Sequence, residues 1–257
     1  VRIIGFIGGE PLIIDKLYSY IDRILRKYET VDLGHKLVIA IVTNFNTPKL
    51  YFDKFLDLVP KIVSNKWIRL DLSVSLEAVG NRTEFIRTNS NWHRIESNLS
   101  EFFKVYETLS NKKQISFNFM TAINALCITD LPNFYSWVVD KQKAYDIPIN
   151  LRGSQVVFPE WLSPSILPEE LDDKVLRSID ILNVNKLEKN RYLSGNWDDY
   201  INLLREVSKG IQRTDKDINA RKSFARNIDI LCSRRKLNFH DTFPDLINFY
   251  EVCKNYE

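Results

Sequence analysis

Cysteine is scarce in this chain: Cys127, Cys232 and Cys253 are scattered through 257 residues, with no CxxC pair and no histidine at metal-ligand spacing. Such a count excludes a disulfide framework and points to reduced thiols in a cytoplasmic protein. Charge of one sign is also lacking. Lys and Arg total 36 against 33 Asp and Glu, a net charge of +3, so neither a nucleic acid nor a membrane is an expected partner. No apolar run approaches the roughly 18 to 20 residues of a membrane span, and no signal-peptide pattern precedes the first apolar segment. The GxGxxG and GxxxxGK[ST] patterns are missing, which argues against the commonest nucleotide-binding loops. There is no internal repeat and no low-complexity segment. What is present is 44% hydrophobic and 12% aromatic content, enough for one large core or a main domain with a helical annex.

Apolar runs of strand length alternate with longer segments of helical period, the signature of βαβ units and a parallel sheet. Strands are expected at residues 1–7, 36–42, 68–76, 114–120 and 147–153, with helices after Pro11, over 48–63 and 92–109, and from Leu131-Pro132. The polar stretch 77–91 reads as a long loop, a length that suggests function. Beyond Pro168 only helical periods remain, at about 168–189, 196–210, 214–234 and 241–254. The expected architecture is α/β: a partial β/α barrel of about five or six parallel strands over residues 1–167, followed by an all-α extension over 168–257. Phe224, Ile228 and Leu231 supply that extension with a face to pack on the barrel. Phe158 to Trp161 is read either as a gate at the barrel mouth or as a hydrophobic clamp for the annex.

Polar residues gather where the strands end, which is where an α/β fold builds its ligand site. Gly8-Gly9-Glu10-Pro11 follows the first strand; glycine permits positive φ and close backbone approach, and Pro11 suits a helix start. Thr43 and Asn44 end the second strand. Ser73, Ser75 and Glu77 share one side of the third, because side chains alternate with period 2. Asn118, Thr121 and Asn124 lie at the end of the fourth, and Arg87 offers a guanidinium fork for a carboxylate from the polar stretch.

Together these segments resemble the radical S-adenosylmethionine enzymes. The resemblance runs through Gly8 to Pro11, Thr43-Asn44, Ser75-Leu76-Glu77-Ala78-Val79-Gly80, Glu84-Phe85-Ile86-Arg87, Trp92, Phe158 to Leu162, residues 229–234 and Phe243 to Leu246, nearly the whole chain. It is nearest to the twitch-domain type known from phages and marine bacteria. The resemblance implies that Gly8, Gly9, Glu10 and Pro11 hold the methionyl ammonium of S-adenosylmethionine, with Thr43 and Asn44 beside them. It also implies that Ser75 and Glu77 lie near the ribose and amino group, and that Arg87 meets the methionyl carboxylate. Asn118 joins this cofactor-binding set. A [4Fe-4S] cluster, an electron donor such as flavodoxin or ferredoxin, and a 5′-deoxyadenosyl radical acting on a small-molecule or peptide substrate are implied with it.

One element of the family pattern is missing. The CxxxCxxC loop that gives three thiolates to the cluster is not among these residues, and the three cysteines cannot reproduce its spacing. Since Val1 already lies in a strand pattern, the expectation is that the cluster loop belongs upstream of it. Two cysteines in the helical extension are too few for an auxiliary cluster, so none is expected. The alternative is a degenerate, non-catalytic barrel acting as a protein-binding scaffold.

Overall fold

A computed structural model describes residues 2–29, 34–186 and 197–256. Its centre is an all-parallel sheet of five strands, β1 (Ile3–Phe6), β2 (Leu37–Thr43), β3 (Ile68–Ser75), β4 (Ile115–Ile123) and β5 (Ile149–Gln155), ordered β1-β2-β3-β4-β5. Pairing is in sequence order throughout, with Gly5 beside Ala40, Ala40 beside Asp71, Asp71 beside Ser116 and Asn118 beside Asn150. Right-handed crossovers between successive neighbours carry every connecting helix to the same face. Those helices are α1 (Asp15–Lys27), α2 (Lys49–Ser64), α3 (Asn81–Ile86), α4 (Trp92–Thr108) and α5 (Leu131–Ala144).

The strand sequences record this asymmetry. In β2, Leu37, Ile39, Ile41 and Thr43 are buried toward the helices while Val38, Ala40 and Val42 are half-buried on the open face. In β3 the helix side is Ile68, Leu70, Leu72 and Val74, and the open side is Arg69, Asp71, Ser73 and Ser75. Between sheet and helices lies an aromatic core. Phe102 of α4 stacks on Phe117 of β4 at 5.3 Å between ring centroids and meets Phe45 edge-on at 5.9 Å.

Among the described residues five further helices complete the order: α6 (Asp172–Asn185), α7 (Trp197–Ile211), α8 (Ile218–Arg235) and, around Pro244, the short α9 (Phe239–Thr242) before α10 (Ile247–Lys254). α6 packs beside α5, and α7 covers β5, where the Trp197 indole donates to the Ile149 carbonyl at 2.9 Å. Tyr200 of α7 joins Thr121 of β4 and Tyr135 of α5 through their hydroxyls. Phe224 and Ile228 are fully buried and Leu231 packs at the edge of the core, so the expected face of α8 does pack inward. Sheet and extension share one continuous hydrophobic core; the change at residue 168 is one of composition, not a gap in packing.

Local differences from the sequence expectation have simple causes. Pro11–Ile13 is a 3-10 turn and α1 begins only at Asp15, because the Glu10 carboxylate captures the Leu12 N–H and holds the chain in a tighter turn. The stretch 77–91 contains α3, too short to show a helical period; it forms because Phe85 is buried against Phe243, 5.0 Å away. The expected last helix over 241–254 is split where Pro244 interrupts it.

Candidate functional site

The turn after β1 contains Gly8 and Gly9, with φ of +95° and +56°, a conformation glycine adopts without strain. Nothing lies within 4 Å of where a Cβ would stand at either position, so these glycines are required by backbone geometry and not by crowding. The chain then turns Glu10 back over the end of β2. Its Oε1 accepts from Thr43 Oγ1 at 2.6 Å and Leu12 N at 3.1 Å, and its Oε2 accepts from Asn44 N at 2.8 Å. Glu10 therefore couples the ends of β1 and β2, and Pro11 behind it is buried. Thr43 Oγ1 also accepts from Phe45 N, while Asn44 Oδ1 caps Asn46 N.

At the end of β3, Ser75 is half-buried and its hydroxyl has no hydrogen-bond partner among the described residues. Glu77 follows, its side chain 3% exposed, and forms a two-pronged pair with Arg87: Arg87 Nε donates to Oε2 at 2.7 Å and Nη2 donates to Oε1. Ala122 N at the end of β4 donates to the same Oε1 at 3.2 Å. A guanidinium has five donor hydrogens, so this pair leaves Nη1 and one Nη2 hydrogen for another acceptor. Arg87 retains 26% side-chain exposure for that purpose.

The structure thus brings Gly8 to Pro11, Thr43, Asn44, Ser75, Glu77 and Arg87 to one end of the sheet, across three neighbouring strands. Asn118 is placed differently. It is fully buried one register step below that rim, donating to Asp71 Oδ1 at 2.6 Å, to the Leu72 carbonyl and to Ser73, so it builds the floor of the open face. Thr121 points to the helix side and Asn124 closes the turn after β4, where its Oδ1 accepts from Leu126 N and Cys127 N. Sequence reading missed Asp71, Ser116, Asn150 and Arg152. The available signal was polar residues at alternate positions of otherwise apolar strands.

A second polar cluster ties the C-terminal helices to this end of the molecule. Arg82 donates to Thr129 Oγ1 at 2.6 Å and Asp245 Oδ2 at 2.8 Å, and stands 3.9 Å from Asp130 Oδ1. Burial raises the Asp130 pKa above the ordinary carboxylate value, opposed by hydrogen bonding from Val79 N and by the Arg82 charge. The folded state therefore keeps this proton where the unfolded chain has lost it. Stability contributed by Asp130 is present at low pH and declines as pH rises through the raised value. Asp130→Asn is expected to flatten that part of the profile, as measured by urea unfolding over a pH series running upward from the ordinary aspartate value of about 3.9.

Trp161 packs on Phe224 with ring centroids 6.5 Å apart, which matches the clamp reading of residues 158–161, whereas Phe158 is 82% exposed. Cys127 is buried in the turn after β4, its thiol bonded to the Asn124 backbone; Cys232 and Cys253 lie on α8 and α10. Burial pushes all three thiols up, that of Cys253 to about 12. Among the described residues no group of three His, Cys, Asp or Glu side chains is placed to hold a metal ion, so these residues do not fit an iron–sulfur cluster. In comparisons with known proteins, no family model and no curated protein matches this chain.

Proposed function

We propose that this chain forms the S-adenosylmethionine-binding arc of a radical S-adenosylmethionine enzyme, its parallel sheet being part of a β/α barrel. The observation that carries the proposal is the meeting of the Gly8 to Pro11 turn, Thr43-Asn44, Ser75 and the Glu77–Arg87 pair at the C-terminal ends of β1, β2 and β3. In this reading the bare backbone at Gly8 and Gly9 receives the methionyl ammonium. The unengaged N–H groups of Arg87 bind the methionyl carboxylate, and the Ser75 hydroxyl binds the ribose. Glu10 and Glu77 act as positioning residues, one holding the glycine turn on β2 and the other aiming Arg87. Asn118 holds the floor beneath. When bound, S-adenosylmethionine would supply hydrogen-abstracting chemistry. An electron donor of the flavodoxin or ferredoxin kind follows from the same reading.

Ser75 offers a clean test because its hydroxyl has no partner to lose among the described residues. Ser75→Ala is expected to weaken S-adenosylmethionine binding about tenfold, the equivalent of one hydrogen bond, with the unfolding midpoint unchanged. Equal affinity in wild type and variant, measured by titration calorimetry, would remove Ser75 from the site. A second reading, a non-catalytic scaffold, is favoured by one observation: the carboxylates of Glu10 and Glu77 are both already satisfied by groups of the protein itself. It predicts that S-adenosylmethionine does not bind at all.

A further inference from the structure

All-parallel sheets ordinarily carry apolar side chains on both faces, whereas one face of this sheet is polar among the described residues. That face carries Arg69 and Asp71 on β3, Ser116 and Asn118 on β4, and Asn150 and Arg152 on β5 at alternate positions, and the register sets Asp71 beside Ser116 and Asn118 beside Asn150. These groups form a connected polar floor. Asp71 accepts from Asn118 Nδ2 at 2.6 Å and from Arg152 Nη1 at 3.2 Å, and Asn150 Nδ2 donates to Ser116 Oγ at 3.0 Å and Asn118 Oδ1 at 2.9 Å. At the lower end, Lys36 Nζ donates to Gln114 Oε1 at 2.7 Å.

Two observations show that this floor is unfinished. Asp71 is the one carboxylate in the network just described and is already paired with Arg152, whereas the half-buried Arg69 makes no hydrogen bond or ion pair among the described residues. Burial lowers the Arg69 pKa, with Asp71 opposing and Arg152 adding a smaller effect, so the cost of burying this guanidinium is only partly offset within the protein. The buried Oδ1 of Asn150, a residue only 5% exposed, has no partner, although an amide oxygen so placed normally accepts a hydrogen bond. A ligand with an oxyanion beside a hydroxyl or amine would satisfy both.

We infer that the open face of β3 to β5 binds a small anionic ligand, its phosphate or carboxylate group held by Arg69 and Arg152 and an adjacent O–H or N–H donor directed at Asn150. The floor runs down the strands from the row of Ser73, one register step below Ser75, toward Arg69, and it stands whether or not the rim binds S-adenosylmethionine. If the rim does, the ligand on this floor is the substrate.

The test titrates wild type and Arg69→Gln with inorganic phosphate and, separately, with succinate, at ionic strength held constant with sodium chloride, by calorimetry and thermal shift. Wild type is expected to bind at least one of the two anions, and Arg69→Gln to bind it at least about tenfold more weakly, the loss of one charge-assisted contact. Because Arg69 has no hydrogen-bond or ion-pair partner among the described residues, the variant keeps the wild-type unfolding midpoint in anion-free buffer. Phosphate binding alone identifies a phosphorylated ligand, and succinate binding alone a carboxylate. Anion binding with no S-adenosylmethionine binding leaves this inference standing and overturns the reading of the rim. Unchanged anion affinity in Arg69→Gln, or no binding of either anion to wild type, overturns the inference itself.

Discussion

Arg87→Ala is expected to destabilise the fold by about 3 to 5 kcal/mol, the range found when one partner of a buried ion pair is removed. For a chain of this size that lowers the melting temperature by on the order of 10 °C. The reason is the burial of Glu77: with Arg87 gone, its carboxylate keeps only the Ala122 N–H and has 3% of its side chain in contact with water. Arg87→Lys restores the charge but not the fork and falls between wild type and alanine. Combining Arg87→Ala with Glu77→Gln removes the stranded charge and recovers much of the loss. A destabilisation under about 1 kcal/mol, the value typical of an exposed pair, would show that Glu77 is far better solvated than the structure has it.

Phe102→Ala is expected to cost about 3 to 5 kcal/mol, the usual range for deleting a fully buried aromatic side chain. Phe102 is inaccessible to solvent and touches the rings of Phe45, Phe55, Phe103 and Phe117, joining α2, α4, β2 and β4. The effect reaches the candidate site through Phe45, which follows Thr43-Asn44 and holds a left-handed conformation at φ +55°. Its carbonyl also accepts from Asn98 Nδ2 at 2.8 Å. Loss of the Phe102 ring should therefore raise amide hydrogen exchange in residues 43–47 along with lowering global stability. Unaltered exchange there would show that Asn98 alone anchors the loop.

The fold was legible in the sequence wherever one physical pattern dominated. Parallel strands flanked by helices on one side alternate buried and half-buried residues, and β2 and β3 show this plainly in Leu37-Val38-Ile39-Ala40 and Ile68-Arg69-Leu70-Asp71. The helix over α2 was visible because Phe52, Phe55, Val59 and Ile62 recur at helical spacing. α3 was hidden because six residues cannot display a period and its burial depends on Phe239 and Phe243, more than a hundred positions away. Gly8 to Glu10, Thr43-Asn44 and Ser75 lie at the ends of neighbouring strands, a position that strand boundaries alone convey. What they could not convey is the use of Glu10 as a cap and of Glu77 as the partner of Arg87, since both depend on which donors tertiary packing brings within reach. Asn118 was read as rim because it stands near the end of its strand; register with Ser73 sets it one step lower, in the floor.

The most direct measurement of the central claim is calorimetric titration of the intact wild-type chain with S-adenosylmethionine. The account predicts one saturable site whose affinity falls in Ser75→Ala and survives in Arg69→Gln. Absence of binding up to millimolar S-adenosylmethionine, by a chain that unfolds cooperatively and is therefore folded, would contradict it.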